Sequence, residues 1–401
     1  MPYKMLDGNG AAVEAMRLAK PKVIAAYPIT PQSSMAEKLS ELVDEGKLDA
    51  KYVRVESEHS AMSVVIGAQL TGVRAATATS SVGLALMHEV CGVTSGLRLP
   101  VVMPVVNRSL VAPWSLWCDH QDSMSERDTG WIQQYASNVQ EVLDLMLISY
   151  KVSENEEVLT PSMVCLDGFF LSHSMQKVAV PSDEEATEFI GEYQRKNMYI
   201  DPKDPMFVND LTPTDEFTEM RYQQKVGFDK AYENIPKVME EFEQKFGRKV
   251  SMVEPYQLDD ADVAVVTIGS MSGTAKYVVN QLREKGIKAG CLKIITFRPF
   301  PYIQVKESLR NVKVVGAMDR SAGLGAPEGP LCTEIRASMY GDSVDIRNYI
   351  GGLAGRDISD HSFNKIFNEL IEVANGTQKE TAQWFDVKEN AMDIREVIEN
   401  V

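Results

Sequence analysis

Tyr27-Pro28-Ile29-Thr30-Pro31 closes the short apolar run Val23-Ile24-Ala25-Ala26-Tyr27, which reads as a buried strand. Pro28 stops the strand and Pro31 closes the turn, because proline donates no ladder hydrogen bond and biases the residue before it away from helix. Thr30 therefore falls at the C-terminal lip of a strand. The helix expected next has Ser33 or Ser34 as its cap and runs through Met35-Ala36-Glu37-Lys38-Leu39. In open α/β sheets that lip is where ligands bind. Tyr52-Val53-Arg54-Val55 repeats the pattern, and Glu58 opens a helix expected from Ser60 to Leu70. One hydroxyl and one carboxylate are thus placed on the same edge of one sheet. Spacing by itself favours a plainer reading, in which Thr30 is a turn residue and Glu58 a first-turn acid that complements the helix dipole.

The same grammar continues outward. Gly8-Asn9-Gly10-Ala11-Ala12 leads into a helix to about Leu18, and Arg74 to Thr79 reads as a strand followed by Ser80-Ser81-Val82-Gly83 and a helix from Leu84. Pro100 to Val106 is a strand ending at Asn107-Arg108-Ser109. Val139 to Ile148 has a helical period, and Ser162 to Leu166 is a strand ending at Asp167-Gly168. This alternation predicts an α/β fold, a mostly parallel sheet with helices on both faces. From Pro181 to about Val250 the text turns polar, with Pro202, Pro205 and Pro213 and then a charged helix from Tyr232 to Phe246. It reads as a linker and arm over the surface. A second α/β unit starts near Asp262, with strands at Val263–Ile268, Gly286–Ile294 and Val312–Asp319. The expected division is residues 1–250, with 181–250 as the arm, and residues 251–401.

Composition narrows the function. Of 401 residues, 41 are Lys or Arg and 57 are Asp or Glu, a net charge of −16 that argues against a nucleic-acid surface. No apolar run is long enough to span a bilayer, and Met1 to Asp7 has no basic-then-apolar signal region. The five cysteines form no CxxC pair, so an iron–sulfur or zinc cradle is not expected here. They read as reduced, mostly buried thiols of a cytoplasmic protein.

Gly269-Ser270-Met271-Ser272-Gly273 lacks the P-loop lysine and the third dinucleotide glycine, so it reads as a tight turn into a helix. Asp119-His120-Gln121-Asp122 carries groups that ligate metals, but a polar loop with capping acids is the simpler expectation. Arg108 follows an apolar strand and would reach the lip of Thr30 and Glu58. A planar guanidinium there suits a carboxylate ligand, and a loop ion pair suits the sequence equally. Trp114, Trp117 and Trp131 flank this loop, either as the wall of a dry pocket or as core and interface.

Several motifs occur together in order: Tyr27 to Pro31, Ser57-Glu58-His59-Ser60-Ala61, Thr77 to Leu84, Asp119 to Met124, Asp128-Thr129-Gly130-Trp131, Asp167 to His173, Phe297-Arg298-Pro299-Phe300-Pro301 and Asp319-Arg320-Ser321. Over nearly the whole chain they resemble the alpha subunit of thiamine-diphosphate-dependent 2-oxoacid:ferredoxin oxidoreductases, most closely the pyruvate:ferredoxin branch. The resemblance implies a pyrimidine-type thiamine-diphosphate domain followed by a transketolase C-terminal-like domain. It implies coenzyme A-dependent oxidative decarboxylation of a 2-oxoacid, reversibly, with electrons passed to ferredoxin. Thiamine diphosphate and its Mg²⁺ would be held mainly by a partner, and 4Fe-4S clusters by beta-, gamma- and delta-type subunits. Glu58 matches the glutamate that meets the aminopyrimidine, Thr30 the threonine near the reacting carbon, and Arg108 the arginine that faces the substrate carboxylate. Pro28, Ile29 and Ser81 match further cofactor-binding positions. No metal ligand is expected in this chain, which lacks a GDG…N diphosphate motif. Thr30-Pro31 stands where an oxalate-using branch places an arginine. Trp114 and Trp117 depart from the pyruvate pattern and leave an aromatic acid such as phenylglyoxylate as the alternative substrate. A non-catalytic scaffold subunit is the rival reading; it has no need of a carboxylate at position 58.

Overall fold

Runs of Val, Ile, Ala and Met give the strands, and parallel strands buried on both faces need such runs. The computed structural model describes residues 2–195 and 199–388; Met1, residues 196–198 of the expected arm and the end of the expected second unit from 389 to 401 lie outside the described residues. Val23–Ala26 lies between Lys51–Arg54 and Ala75–Ala76, parallel to both. A second sheet is ordered Thr296–Arg298, Ile132–Tyr135, Ser162–Asp167, Val102–Asn107, the last three parallel. A bridge from Thr79 to Val105 joins the two sheets. The parallel strands therefore end on one edge, which is why Thr30, Glu58, Thr79, Arg108 and Asp167 follow strands that open on the same side.

Residues 253–384 carry a six-stranded sheet. Its order is Ala382–Trp384, Asp345–Ile350, Val314–Asp319, Val263–Ile268, Ala289–Ile294, Val253–Tyr256, with only the last antiparallel. Met271–Glu284 packs with Asp360–Ala374, and Tyr302–Leu309 with Pro330–Ser338. The buried residues of these two helix pairs fall in different apolar clusters, so helices cover both faces. One of those clusters runs without a break from Met103 and Tyr135 to Ala264 and Leu331, across both sheets. Thr296–Arg298 follows Ala289–Ile294 of the six-stranded sheet and pairs antiparallel with Ile132–Tyr135 of the four-stranded one.

Four local expectations differ from the structure. The Arg74–Thr79 strand is regular only at Ala75–Ala76, with a single further bridge at Thr79, because the chain there crosses from one sheet to the other. Ser33–Asp44 is a helix with Gln32 before it and no side-chain cap; Ser34 Oγ instead accepts from Asn9 Nδ2 at 2.8 Å. The helix after Gly83's turn begins at Ser81, not Leu84. The charged helix begins at Phe217, not Tyr232, and runs to Phe246 with Pro236 inside it. Its stripe Ala231, Ile235, Val238, Met239, Phe242 and Phe246 is buried against Val139–Ser153. Phe189, from the short helix Asp183–Ile190, meets Phe242 and Phe246 edge-on at 5.4 and 5.5 Å. Part of the expected surface arm is thus core.

Candidate active site

Thr30 is held by its backbone. Asn9 Nδ2 donates to Pro31 O at 2.8 Å, and the Arg108 guanidinium donates through Nη1 to Thr30 O at 2.8 Å. Arg108 Nε donates to Ser115 O at 3.1 Å. Arg108 is buried and burial pulls its pKa down, yet no carboxylate pairs with it among the described residues. The loop-ion-pair reading is therefore set aside, and Arg108 and Thr30 are brought together. Pro28 is exposed and Ile29 half-buried on the same turn.

Glu58 opens the helix Glu58–Leu70 behind Ser57, whose side chain accepts from Ser60 N. Its carboxylate is buried, burial raises its pKa, and its own backbone N–H opposes that shift. No side chain donates to it among the described residues. It faces Gly83: a Cβ there would stand 2.6 Å from Glu58 Oε1 and 2.7 Å from Thr79 Oγ1. Glycine at this position lets the Glu58 carboxylate and the Thr79 hydroxyl pack directly against the turn. A buried carboxylate with no side-chain donor among the described residues can accept from an amino group or a protonated ring nitrogen, so the chemistry of Glu58 suits an aminopyrimidine.

Ser81, with φ of 50°, belongs to the frame. Its N–H donates to Asp122 Oδ2 at 2.9 Å, as does Arg108 N at 3.0 Å. Asp122 Oδ1 accepts from Asn107 Nδ2 and Ser123 N, both at 2.8 Å. Burial pushes the Asp122 carboxyl up to about 6, against these four donors. Asp122 thus ties the Ser81 turn to the Arg108 turn. Sequence reasoning took it for a capping acid; nothing in its spacing shows that two distant turns converge on it. Asn9 was missed as well, although an asparagine between Gly8 and Gly10 is a signal of close backbone approach.

The Asp119–Asp122 stretch is a buried network, not a polar loop. Asp167 Oδ1 contacts His120 Nε2 at 2.7 Å, and Oδ2 accepts from Ser270 N and Arg320 Nη1, each at 3.0 Å. Ligand atoms of Cys118, His120 and Asp167 lie within 4.8 Å of one another. A guanidinium already sits on that carboxylate, which disfavours a second cation there. Trp131 is fully buried and donates to Cys91 O at 2.9 Å, so it is core. Trp114 and Trp117 are 76% and 55% exposed, and Trp117 packs on Phe169 at 4.8 Å.

The family model described as "Pyruvate flavodoxin/ferredoxin oxidoreductase, thiamine diP-bdg" matches residues 14–243, and "Pyruvate:ferredoxin oxidoreductase core domain II" matches 261–363. The chain belongs to the pyruvate flavodoxin/ferredoxin oxidoreductase family. Within that family it is 46% identical over 388 residues to the pyruvate synthase subunit PorA of Methanocaldococcus jannaschii, covering 96% of this chain and 98% of that one. It is 40% identical over 396 residues to the NADH-dependent phenylglyoxylate dehydrogenase subunit alpha of Aromatoleum evansii, covering 96% and 95%. The fold is similar to the 2-oxoglutarate:ferredoxin oxidoreductase from Magnetococcus marinus, with a TM-score of 0.71 at 20% identity, over 92% of this chain and 65% of that chain. It is also similar to a split-gene transketolase, with a TM-score of 0.54 at 11% identity, over 92% of this chain and all of the other. This oxidoreductase-family chain has no described helix long and apolar enough to cross a membrane.

Proposed function

We propose that the chain is the alpha-type subunit of an oxidoreductase that converts pyruvate and coenzyme A reversibly to acetyl-CoA and carbon dioxide. Electrons leave for ferredoxin through 4Fe-4S clusters in beta-, gamma- and delta-type partners, and the subunit works in the cytoplasm only as part of that complex. The observation that carries this is the pairing, on one sheet edge, of two buried groups: a carboxylate with no side-chain donor among the described residues, Glu58, and a guanidinium with no carboxylate ion-pair partner among them, Arg108. Each polar group is withdrawn from water at a cost that a ligand would offset.

In this reading Glu58 holds the aminopyrimidine ring of thiamine diphosphate, with Pro28, Ile29 and Ser81 forming the walls and turn that receive it. Thiamine diphosphate, with its Mg²⁺ mainly on a partner, supplies the carbanion chemistry when bound. Glu58 selects the tautomer able to take a proton, as a positioned acid–base group does. Arg108 binds the 2-oxoacid carboxylate and orients it, and Thr30 lies beside it at the reacting end. A scaffold would leave these groups without purpose.

Phenylglyoxylate is the second reading, favoured by the exposed rings of Trp114 and Trp117 beside Arg108's loop and by the likeness to the Aromatoleum subunit. The test is viologen reduction by the complex purified through this chain, with coenzyme A and a panel of 2-oxoacids. Pyruvate is expected to reduce the dye at least about tenfold faster than phenylglyoxylate, a difference of about 1.4 kcal/mol. The reverse order would move the tryptophans into the substrate pocket and keep the chemistry.

A further inference from the structure

Ser81 sits at a φ of 50°, a backbone state that residues with side chains seldom hold without help. Two contacts hold it, and both lead to the turn that carries Arg108. Ser81 Oγ donates to Ser109 O at 2.5 Å, and Ser81 N shares the Asp122 Oδ2 acceptor with Arg108 N. Asp122 has no freedom to follow either turn. It is 1% exposed, and its other oxygen accepts from Asn107 Nδ2 and Ser123 N. Asn107 Nδ2 also reaches Ser123 Oγ at 2.8 Å, Ser123 Oγ meets Tyr135 OH at 2.8 Å, and Gln133 Nε2 donates to Ser123 O at 2.7 Å. The carboxylate is thus pinned to the buried strand Ile132–Tyr135. A buried carboxylate is a costly way to fill space. What it adds over an apolar side chain is direction, because its bonds to N–H groups are strong and oriented.

We propose that Asp122 is a positioning residue for Arg108: it fixes the Ser81 turn and the Arg108 turn as one unit, and so sets where the guanidinium stands relative to the cofactor. A 2-oxoacid held by its carboxylate carries its keto carbon one bond away, so a shift of the guanidinium shifts the reacting carbon. The guanidinium's bonds to Thr30 O and Ser115 O steady its tip, whereas the backbone from which it springs is held by Asp122. Asp122 touches neither ligand in this account and acts through the two turns, as outer partners do for ligating groups. The inference rests on the reading of Arg108 as the group that binds the 2-oxoacid carboxylate.

The test uses the whole complex, saturated with thiamine diphosphate, with pyruvate as substrate. Asp122→Asn keeps the size of the side chain but sets an amide N–H against one of the two pairs of donors. The KM for pyruvate is expected to rise about tenfold or more, the scale of a lost hydrogen bond to a charged group, with a smaller fall in kcat. Charge alone predicts the opposite sign. Asp122 is a negative charge that acts on Arg108, and its removal would tighten the hold on an anionic substrate. A KM that is unchanged or lower would therefore overturn the proposal, even if kcat fell. The second arm repeats the substitution on Arg108→Met, which has no guanidinium to place. There Asp122→Asn is expected to change kcat/KM by less than about threefold, because residues that act through one another are not additive. The full loss in that background would overturn the proposal too. If Asp122→Asn fails to assemble, Ser81→Ala, which cuts only the Ser81 Oγ bond to Ser109 O, must raise the pyruvate KM about threefold, and an unchanged KM refutes the idea. Failure of the underlying reading shows itself separately, as an Arg108→Met complex that keeps the wild-type KM for pyruvate.

Discussion

A carboxylate taken out of water needs donors, and Glu58 has none among the described side chains around it. That residue is where the proposed chemistry is most exposed to test. Glu58→Gln keeps size and shape but removes the charge and places a donor where an acceptor stood. Turnover is expected to fall on the order of 10²- to 10⁴-fold, the usual contribution of a positioned acid–base group, while the complex elutes at its wild-type volume. Wild-type rates in that variant would sink the assignment. That Glu58 and Arg108 stand at one sheet edge was legible, because each follows an apolar strand that ends at a turn, and parallel strands bring such ends together; spacing by itself gave them no chemical role, which came from the resemblance. Asp122 was not legible. It gathers N–H groups from two turns that lie 27 residues apart in sequence, Ser81 and Arg108. Its role is created by tertiary contacts that no local pattern carries.

Among the elements, the six-residue helix Ser81–Leu86 shows how local preference and site geometry oppose each other. Gly83 sits inside it, where glycine costs roughly 1 kcal/mol relative to alanine. Nothing in helix physics favours that choice; the nearness of Glu58 Oε1 and Thr79 Oγ1 does. Gly83→Ala is therefore expected to leave the complex assembled. Its cofactor Kd, measured by calorimetry, is expected to rise at least about tenfold, since a methyl group 2.6 Å from Glu58 Oε1 has no room and displaces the carboxylate. A variant that binds the cofactor as tightly as the wild type would show that the placement of Glu58 against this turn is not part of the site. The strand–helix alternation was readable over much of the first 180 residues from apolar runs and turn residues, but the short strands Tyr3–Leu6, Ile132–Tyr135 and Gln176–Ala179, which mix polar and apolar residues, were not read. The Phe217–Phe246 helix was not read to its full length, because its first half is largely exposed and only the stripe from Ala231 onward carries a buried period.

At the scale of the whole molecule, the sheet edge keeps its shape through a charged network that spans both sheets. Asp167 ends a strand of the four-stranded sheet, whereas Ser270 and Arg320 follow strands of the six-stranded sheet. In the sequence Asp319-Arg320-Ser321 stood out as one of the motifs of the resemblance; the partner of Arg320 was not legible, because 153 residues separate it from Asp167. Burial raises the pKa of Asp167, but contact with His120 and Arg320 and the Ser270 hydroxyl outweigh it, leaving the carboxyl well below its ordinary 3.8. The linkage follows from that direction. The unfolded chain takes up this proton near 3.8 and the folded chain only at lower pH, so the stabilisation is complete above about pH 4 and is lost as pH falls below it. Asp167→Asn removes the charge and leaves the Arg320 guanidinium buried without its partner, a change that costs about 3–5 kcal/mol in comparable cases. Chemical denaturation at pH 7 is expected to show a loss of that order. Between pH 4 and pH 2 the variant is expected to lose less stability than the wild type, since the group that titrates there is gone. An equal pH slope in both proteins would mean that Asp167 is not held ionised by its contacts, and that the two sheets are joined at this edge by the shared apolar core alone.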